Sequence, residues 1–89
     1  MDHFLDITAD VCPMTFVRTR LLIERMAAGD TATIVLRGVE PIENVPASVT
    51  ELGHRVIAML PLAGDPARAR LERERGTRDG DMVLRIAKT

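Results

Sequence analysis

The apolar positions of this chain change period several times, and each change marks an element boundary. Residues 3–8 (HFLDIT) bring Phe4, Leu5 and Ile7 together and predict a short strand. The pattern breaks over 9–12, and Pro13 then suits the first turn of a helix, where its missing N–H costs nothing. Phe16, Thr19, Ile23 and Met26 follow at i, i+3, i+7 and i+10, with Leu22 beside them. That spacing predicts a helix from Pro13 to Ala28 with one face packed on a sheet, and Gly29 stands where a left-handed C-cap belongs. Residues 31–37 (TATIVLR) are β-branched and apolar, which predicts a buried central strand ended by Gly38. Ile42, Val45, Val49 and Leu52 repeat the helical spacing and predict a second helix ending at Gly53, with Pro41 and Pro46 limiting where it begins. Segments 54–61 (HRVIAMLP) and 81–87 (DMVLRIA) predict the third and fourth strands.

The resulting order is β-α-β-α-β-β over residues 1–89, taken as one domain. Right-handed crossovers put both helices on the same side, so the expected fold is an α/β two-layer sandwich: a mixed four-stranded sheet with two helices on one face. The stretch 62–80 reads two ways. Asp65-Pro66 resembles a helix cap and first turn, with Gly76 as a stop, yet the small or apolar residues alternating with Arg also suit a twisted strand pair. The plainest expectation is a charged, solvated excursion whose Arg/Glu run at 67–75 forms weak surface pairs.

Composition narrows the function classes. The apolar residues are nearly all aliphatic, and Phe4 and Phe16 are the sole aromatics, which argues against base-stacking nucleic-acid modules. The formal net charge of −1 gives no bulk attraction to nucleic acid or anionic membrane. No apolar run approaches 18 residues, and the acidic N-terminus lacks the apolar core of a secretory signal. One cysteine excludes an internal disulfide or a CxxC site, and a reducing cytoplasm is the expected compartment.

That cysteine carries the chemistry. Cys12, immediately before Pro13, is placed by the pattern at the N-cap of the first helix. Unpaired amides and the positive end of the helix dipole favour its thiolate, the form that attacks sulfane sulfur. No second cysteine resolves it into a disulfide, which suits a group that holds a transferable sulfur. A buried, inert structural cysteine is the competing reading, and the Asp10 carboxylate disfavours the thiolate if both point the same way.

The element order, the early Cys-Pro and the run CPMTFVRTRLLIERMAAGD, with Gly29-Asp30 and Gly53-His54 at later junctions, closely resemble the TusA/SirA-like sulfurtransferase family. The family's Cys-Pro-x-Pro motif is matched by Cys12 and Pro13, whereas Thr15 replaces its second proline. Glu40-Pro41 lies close to, but out of register with, the acidic-proline pair that often follows strand two. The excursion at 62–80 is longer than the family pattern. The resemblance implies a sulfur carrier in which Cys12 holds a persulfide, with Pro13, Met14 and Thr15 forming the supporting helix start. It implies partners rather than a cofactor: a donor such as a cysteine desulfurase or rhodanese-like protein, and a sulfur-accepting protein.

Other candidates are weighed against plainer roles. Met14, Val17 and Leu21 form a second apolar strip on the first helix, beside Arg18 and Arg25, suited either to partner docking or to a helix–helix seam. Arg18, Arg20 and Arg25 suit steering of an acidic partner or simply a solvated face. His3 and His54 show no metal-ligand spacing with Cys12. Two rival functions stay open from sequence: a non-catalytic regulatory or protein-interaction module on the same fold, and a thiol redox sensor.

Overall fold

The computed structural model describes residues 1–11 and 13–89, so Cys12 itself lies outside the described residues. The elements are β1 (Asp2–Asp6), α1 (Met14–Arg25), β2 (Thr31–Leu36), α2 (Val39–Glu51), β3 (Arg55–Pro61), a 3-10 turn (Leu62–Gly64), α3 (Ala67–Glu74) and β4 (Met82–Ala87). The strands form an open mixed sheet in the order β1-β2-β4-β3. β1 and β2 are parallel, and β4 runs antiparallel to both of its neighbours.

Alternation along the strands sorts side chains between the faces. Ala32, Ile34 and Leu36 of β2, with Leu84 and Ile86 of β4, meet Leu22 and Ile23 of α1, Met26 just beyond it, and Val45 and Val49 of α2. This is the expected layer of two helices on one face. Each Leu, Ile, Val or Met side chain among them, fully buried, stabilises the fold by about 1.5–3 kcal/mol relative to its exposed state, so this layer dominates the hydrophobic term.

The helix ends differ from the periodic reading. α1 stops at Arg25, and Met26 turns extended with φ −80° and ψ 146° while its side chain stays buried. The turn that follows is built by Asp30, whose carboxylate accepts the Ala27 N–H at 3.0 Å. Gly29, at φ 90°, gives its N–H to the Lys88 carbonyl, so it serves a turn tied to the end of β4 rather than a helix cap. α2 starts at Val39, ahead of both prolines, and continues through Pro46. Buried Val45 and Val49 on either side of Pro46 offset its missing N–H.

Segment 62–80 is less solvated than expected. Asp65 does act as a helix start, its Oδ1 accepting the Ala67 N–H at 3.0 Å, and Gly76 ends the turn at φ 78°. α3 lies on the sheet face opposite α1 and α2, where Leu71 and Leu62 are buried against Val35 and Val83, with Phe4 and Ala67 packed alongside. Arg85 of β4 holds Asp65 through a two-pronged pair at 2.6 and 3.0 Å. The Arg/Glu run keeps its surface pairs, Arg68–Glu72 and Arg70–Glu74, on the outer side.

Candidate functional site

Because β1 and β2 are adjacent and parallel, the connections β1–α1 and β2–α2 leave the sheet at the same edge. In open α/β sheets this edge, outside the carboxyl ends of the strands, is where sites form. The two connections are residues 7–13, which contain Cys12, and residues 37–38.

The chain on both sides of Cys12 is tied down. Ile7 is buried, and its N–H bonds the Val35 carbonyl at 3.1 Å. The Asp6 carboxylate accepts the Thr8 N–H at 3.1 Å and the Thr8 hydroxyl at 2.7 Å, folding the chain away from β1. Asp10 donates its N–H to the Ile7 carbonyl, and Met14 donates to the Val11 carbonyl at 2.7 Å. Pro13, not the cysteine, occupies the helix-capping position, with φ −91° and no side-chain cap. This corrects the expected N-cap by one residue, since Pro13 already has its backbone at the helix boundary. The first intrahelical bond runs from the Val17 N–H to the Pro13 carbonyl. Thr15 sits buried in the first turn, where the family's second proline was expected, and its carbonyl accepts the Thr19 hydroxyl.

Asp10 does not stand as a free charge beside the thiol position. Its carboxylate is paired with the Arg18 guanidinium from α1. Arg18 is therefore an internal partner of the loop, while its side chain stays 41% exposed. Arg20 pairs with Glu24 on the helix surface at 3.5 Å.

Across the edge, Asp10, Val11, Arg37, Gly38, Val39, Glu40 and Pro41 line a shallow depression of about 410 Å³. Val11 and Val39, its lips, are 74% and 75% exposed. The strip of Met14, Val17 and Leu21 is also exposed, so it does not fill a seam between helices. Beside it runs a second groove of about 340 Å³, with Leu5, Leu21 and Leu22 as its apolar lining and Arg18, Glu24 and Arg25 as its polar lining.

The histidines lie apart from this edge. His3 shares a hydrogen bond of 3.0 Å with Asp30, and His54 Nδ1 accepts the Thr89 N–H. His3, the Ala27 amide and the chain's amino group together hold the Asp30 carboxyl well below the usual carboxylate range. Two features escaped the sequence reading: Val39 as an exposed lip, and Arg37, whose Nε and Nη2 grip Asp81 at 2.8 and 3.0 Å. Arg37 stands next to Gly38 at the end of a strand, but a partner 44 residues away leaves no local signal.

The family model described as Sulfurtransferase TusA matches residues 3–73. The chain belongs to the TusA sulfurtransferase family. A protein of Archaeoglobus fulgidus named "Putative sulfur carrier protein" is 36% identical over 58 residues, covering 65% of this chain and 66% of that relative. No solved structure matches the chain. The TusA match takes in β1 through most of α3, so the Cys12 loop, both junctions and the greater part of the excursion lie within it. Among the described residues, no helix is long and apolar enough to cross a membrane.

Proposed function

We propose that the chain is a sulfur carrier in which Cys12 accepts sulfane sulfur as a persulfide and relays it to a partner protein. The observation that carries this reading is the loop itself. In a member of the TusA family, the cysteine-bearing segment is tied at Asp10, Val11 and Met14 at the edge where two parallel strands end. The name of the Archaeoglobus relative points the same way.

In this mechanism the Cys12 thiolate attacks the terminal sulfur of a donor persulfide. A new S–S bond forms on Cys12, the donor's S–S bond breaks, and the donor leaves as a thiolate, so no external oxidant or reductant is needed. The amides of Thr15 and Phe16, in the first turn of α1, act as donors toward the sulfur anion, and the positive helix end adds to them. Pro13 fixes the helix start. The Asp10–Arg18 pair keeps a carboxylate charge from opposing the thiolate.

The partners are a donor protein, of the cysteine desulfurase or rhodanese-like kind, and a sulfur-accepting protein, both met in the cytoplasm. They dock on the exposed strip of Met14, Val17 and Leu21 and on the groove toward Arg25. A shallow edge suits such a relay, because the partner completes the site.

The test is intact mass spectrometry after mixing the protein with glutathione persulfide, with Cys12→Ser as control. The expected result is a gain of about one sulfur mass, reversed by reductant and absent in the variant, because thiolate attack on sulfane sulfur is the step proposed. No gain, together with resistance of the folded protein to alkylation, would favour the binding module. Peroxide-dependent dimers through Cys12 would favour the redox sensor.

A further inference from the structure

The excursion between β3 and β4 grips the ends of both strands that build the site. Just past α3, Arg75 reaches Asp6 at the close of β1, with Nε 2.6 Å from the carboxylate. Six residues on, Asp81 takes Arg37, just past the end of β2, through the two bonds already described. The Asp81 side chain is 1% exposed. Asp81 is also where the excursion closes on itself: its carboxylate accepts the Arg78 N–H at 3.0 Å, and its carbonyl accepts the Leu62 N–H at 2.9 Å. The four groups Asp6, Arg75, Asp81 and Arg37 alternate in charge, and they join the start of the Cys12 loop to the start of α2.

Arg37 forms part of two depressions at this edge. One contains Asp10, Val11 and the Gly38–Pro41 turn; the other contains that turn's Gly38 and Val39, Ile42, and the excursion tip Arg78–Gly80. Its fork on Asp81 therefore fixes the wall that faces the thiol loop, and the wall is anchored by residues on the opposite face of the sheet. A planar guanidinium held at two nitrogens sets orientation as well as distance, which a lysine at the same place does not.

We propose that Arg37 and Asp81 are positioning residues for sulfur transfer, holding the Gly38–Pro41 wall so that a donor meets Cys12 in a fixed approach. This rests on the sulfur-carrier reading. It assigns the excursion a role in the site.

The experiment compares the wild type with Arg37→Gln, Arg37→Lys and Asp81→Asn in two assays, each corrected for the folded fraction by circular dichroism. The first is the rate of Cys12 sulfur loading from glutathione persulfide. The expected fall is about tenfold for Arg37→Gln and Asp81→Asn and about threefold for Arg37→Lys, short of the roughly hundredfold that a misplacement of about 1 Å can cost. The second is the ratio of Cys12 alkylation by iodoacetamide to that by fluorescein maleimide, which senses the wall without sulfur chemistry; it should shift by at least about threefold in the same order, since access is set by the same geometry. Unchanged loading and an unchanged ratio in all three variants, with only thermal stability lowered, would overturn the proposal and leave the pair as a fold clamp. A wild type that takes up no sulfur while the ratio still shifts would sink the sulfur-carrier reading and keep the positioned wall.

Discussion

Replacing Arg18 by Gln removes the cation that neutralises Asp10, and the consequence for Cys12 is calculable. Asp10 and Cys12 are two residues apart, so their Cα atoms are separated by at most about 7 Å. A unit charge at that distance acts with about 0.6 kcal/mol in a water-like dielectric and about 2.4 kcal/mol in the effective dielectric of a protein surface. The Asp10 side chain is 22% exposed, which places the effect between those limits. A value of about 1 kcal/mol corresponds to roughly fivefold less thiolate on the rising limb of the pH profile. The pair itself is half open to solvent, with Arg18 41% exposed, so its loss lowers stability by at most about 1 kcal/mol and the variant stays folded. The assay is the rate of iodoacetamide alkylation of Cys12 as a function of pH, at low salt and at high salt. Arg18→Gln should move the profile to higher pH, Asp10→Asn should move it to lower pH, and the double variant should return close to the wild type. High salt should shrink each displacement, because exposed charges are screened. A profile for Arg18→Gln that superimposes on the wild type, or two single variants that move in the same direction, would refute the argument that the pair controls the charge felt by the thiol.

Further outcomes follow from the same structure. Leu71→Ala removes the fully buried anchor of α3; the satellite cluster around it includes partly exposed Phe4 and Ala67 and collapses readily, so urea denaturation should show a loss of about 2–3 kcal/mol, at the low end for such changes. A loss below about 0.5 kcal/mol, the range of surface substitutions, would mean that α3 is not packed on the sheet. Val17→Glu and Leu21→Glu, at exposed positions, should leave stability within about 0.5 kcal/mol while weakening sulfur transfer to a partner protein; unfolding of either would show the strip to be core. Acid stability gives a fourth check. Hydrogen bonds from Arg85 hold the Asp65 carboxyl below its usual value against the opposing effect of burial, and His3 does the same for Asp30. A lowered folded-state value means that the stabilisation is complete above the unfolded carboxylate range and is lost as pH falls through the folded one. Stability should therefore be flat above about pH 5 and fall progressively below about pH 4, as carboxylates with ordinary unfolded values near 3.9 take up protons. Asp65→Asn should flatten that fall, which circular dichroism against pH would read.

The parts of this protein that were legible in its sequence share one property: their stabilising contacts repeat at a fixed local interval. Thr19, Leu22, Ile23 and Met26 of the first helical segment, and Val45 and Val49 of the second, are buried as their spacing requires, because a helix laid on a sheet buries every third or fourth side chain, whereas Phe16 and Ile42 at the helix starts are half-buried and Leu52 at the second helix's end is exposed. The strands were legible as short apolar or β-branched runs, and β2 is buried along nearly its whole length as such a run requires. α3 was legible only at its ends, in Asp65-Pro66 and Gly76, since one fully buried leucine in eight residues forms no period. What fixes it is Asp65 on Arg85, Arg75 on Asp6 and Asp81 on Arg37, at separations of 20, 69 and 44 residues. No local pattern encodes such pairings. The ends of the helices failed for a related reason. Gly29 looked like a helix cap, but its positive φ serves a hydrogen bond to Lys88, just past a strand that the N-terminal half of the sequence does not reveal. The candidate site divides along the same line. Cys-Pro before a helical run is a local signature and pointed to the loop; the charge beside the thiol depends on whether Arg18 reaches Asp10, eight residues away across a helix start. A sequence reading could count both charges but not cancel them. That cancellation and the long-range grip on Arg37 are the contacts through which the proposed site at the two-residue motif would gain its electrostatic setting and its wall.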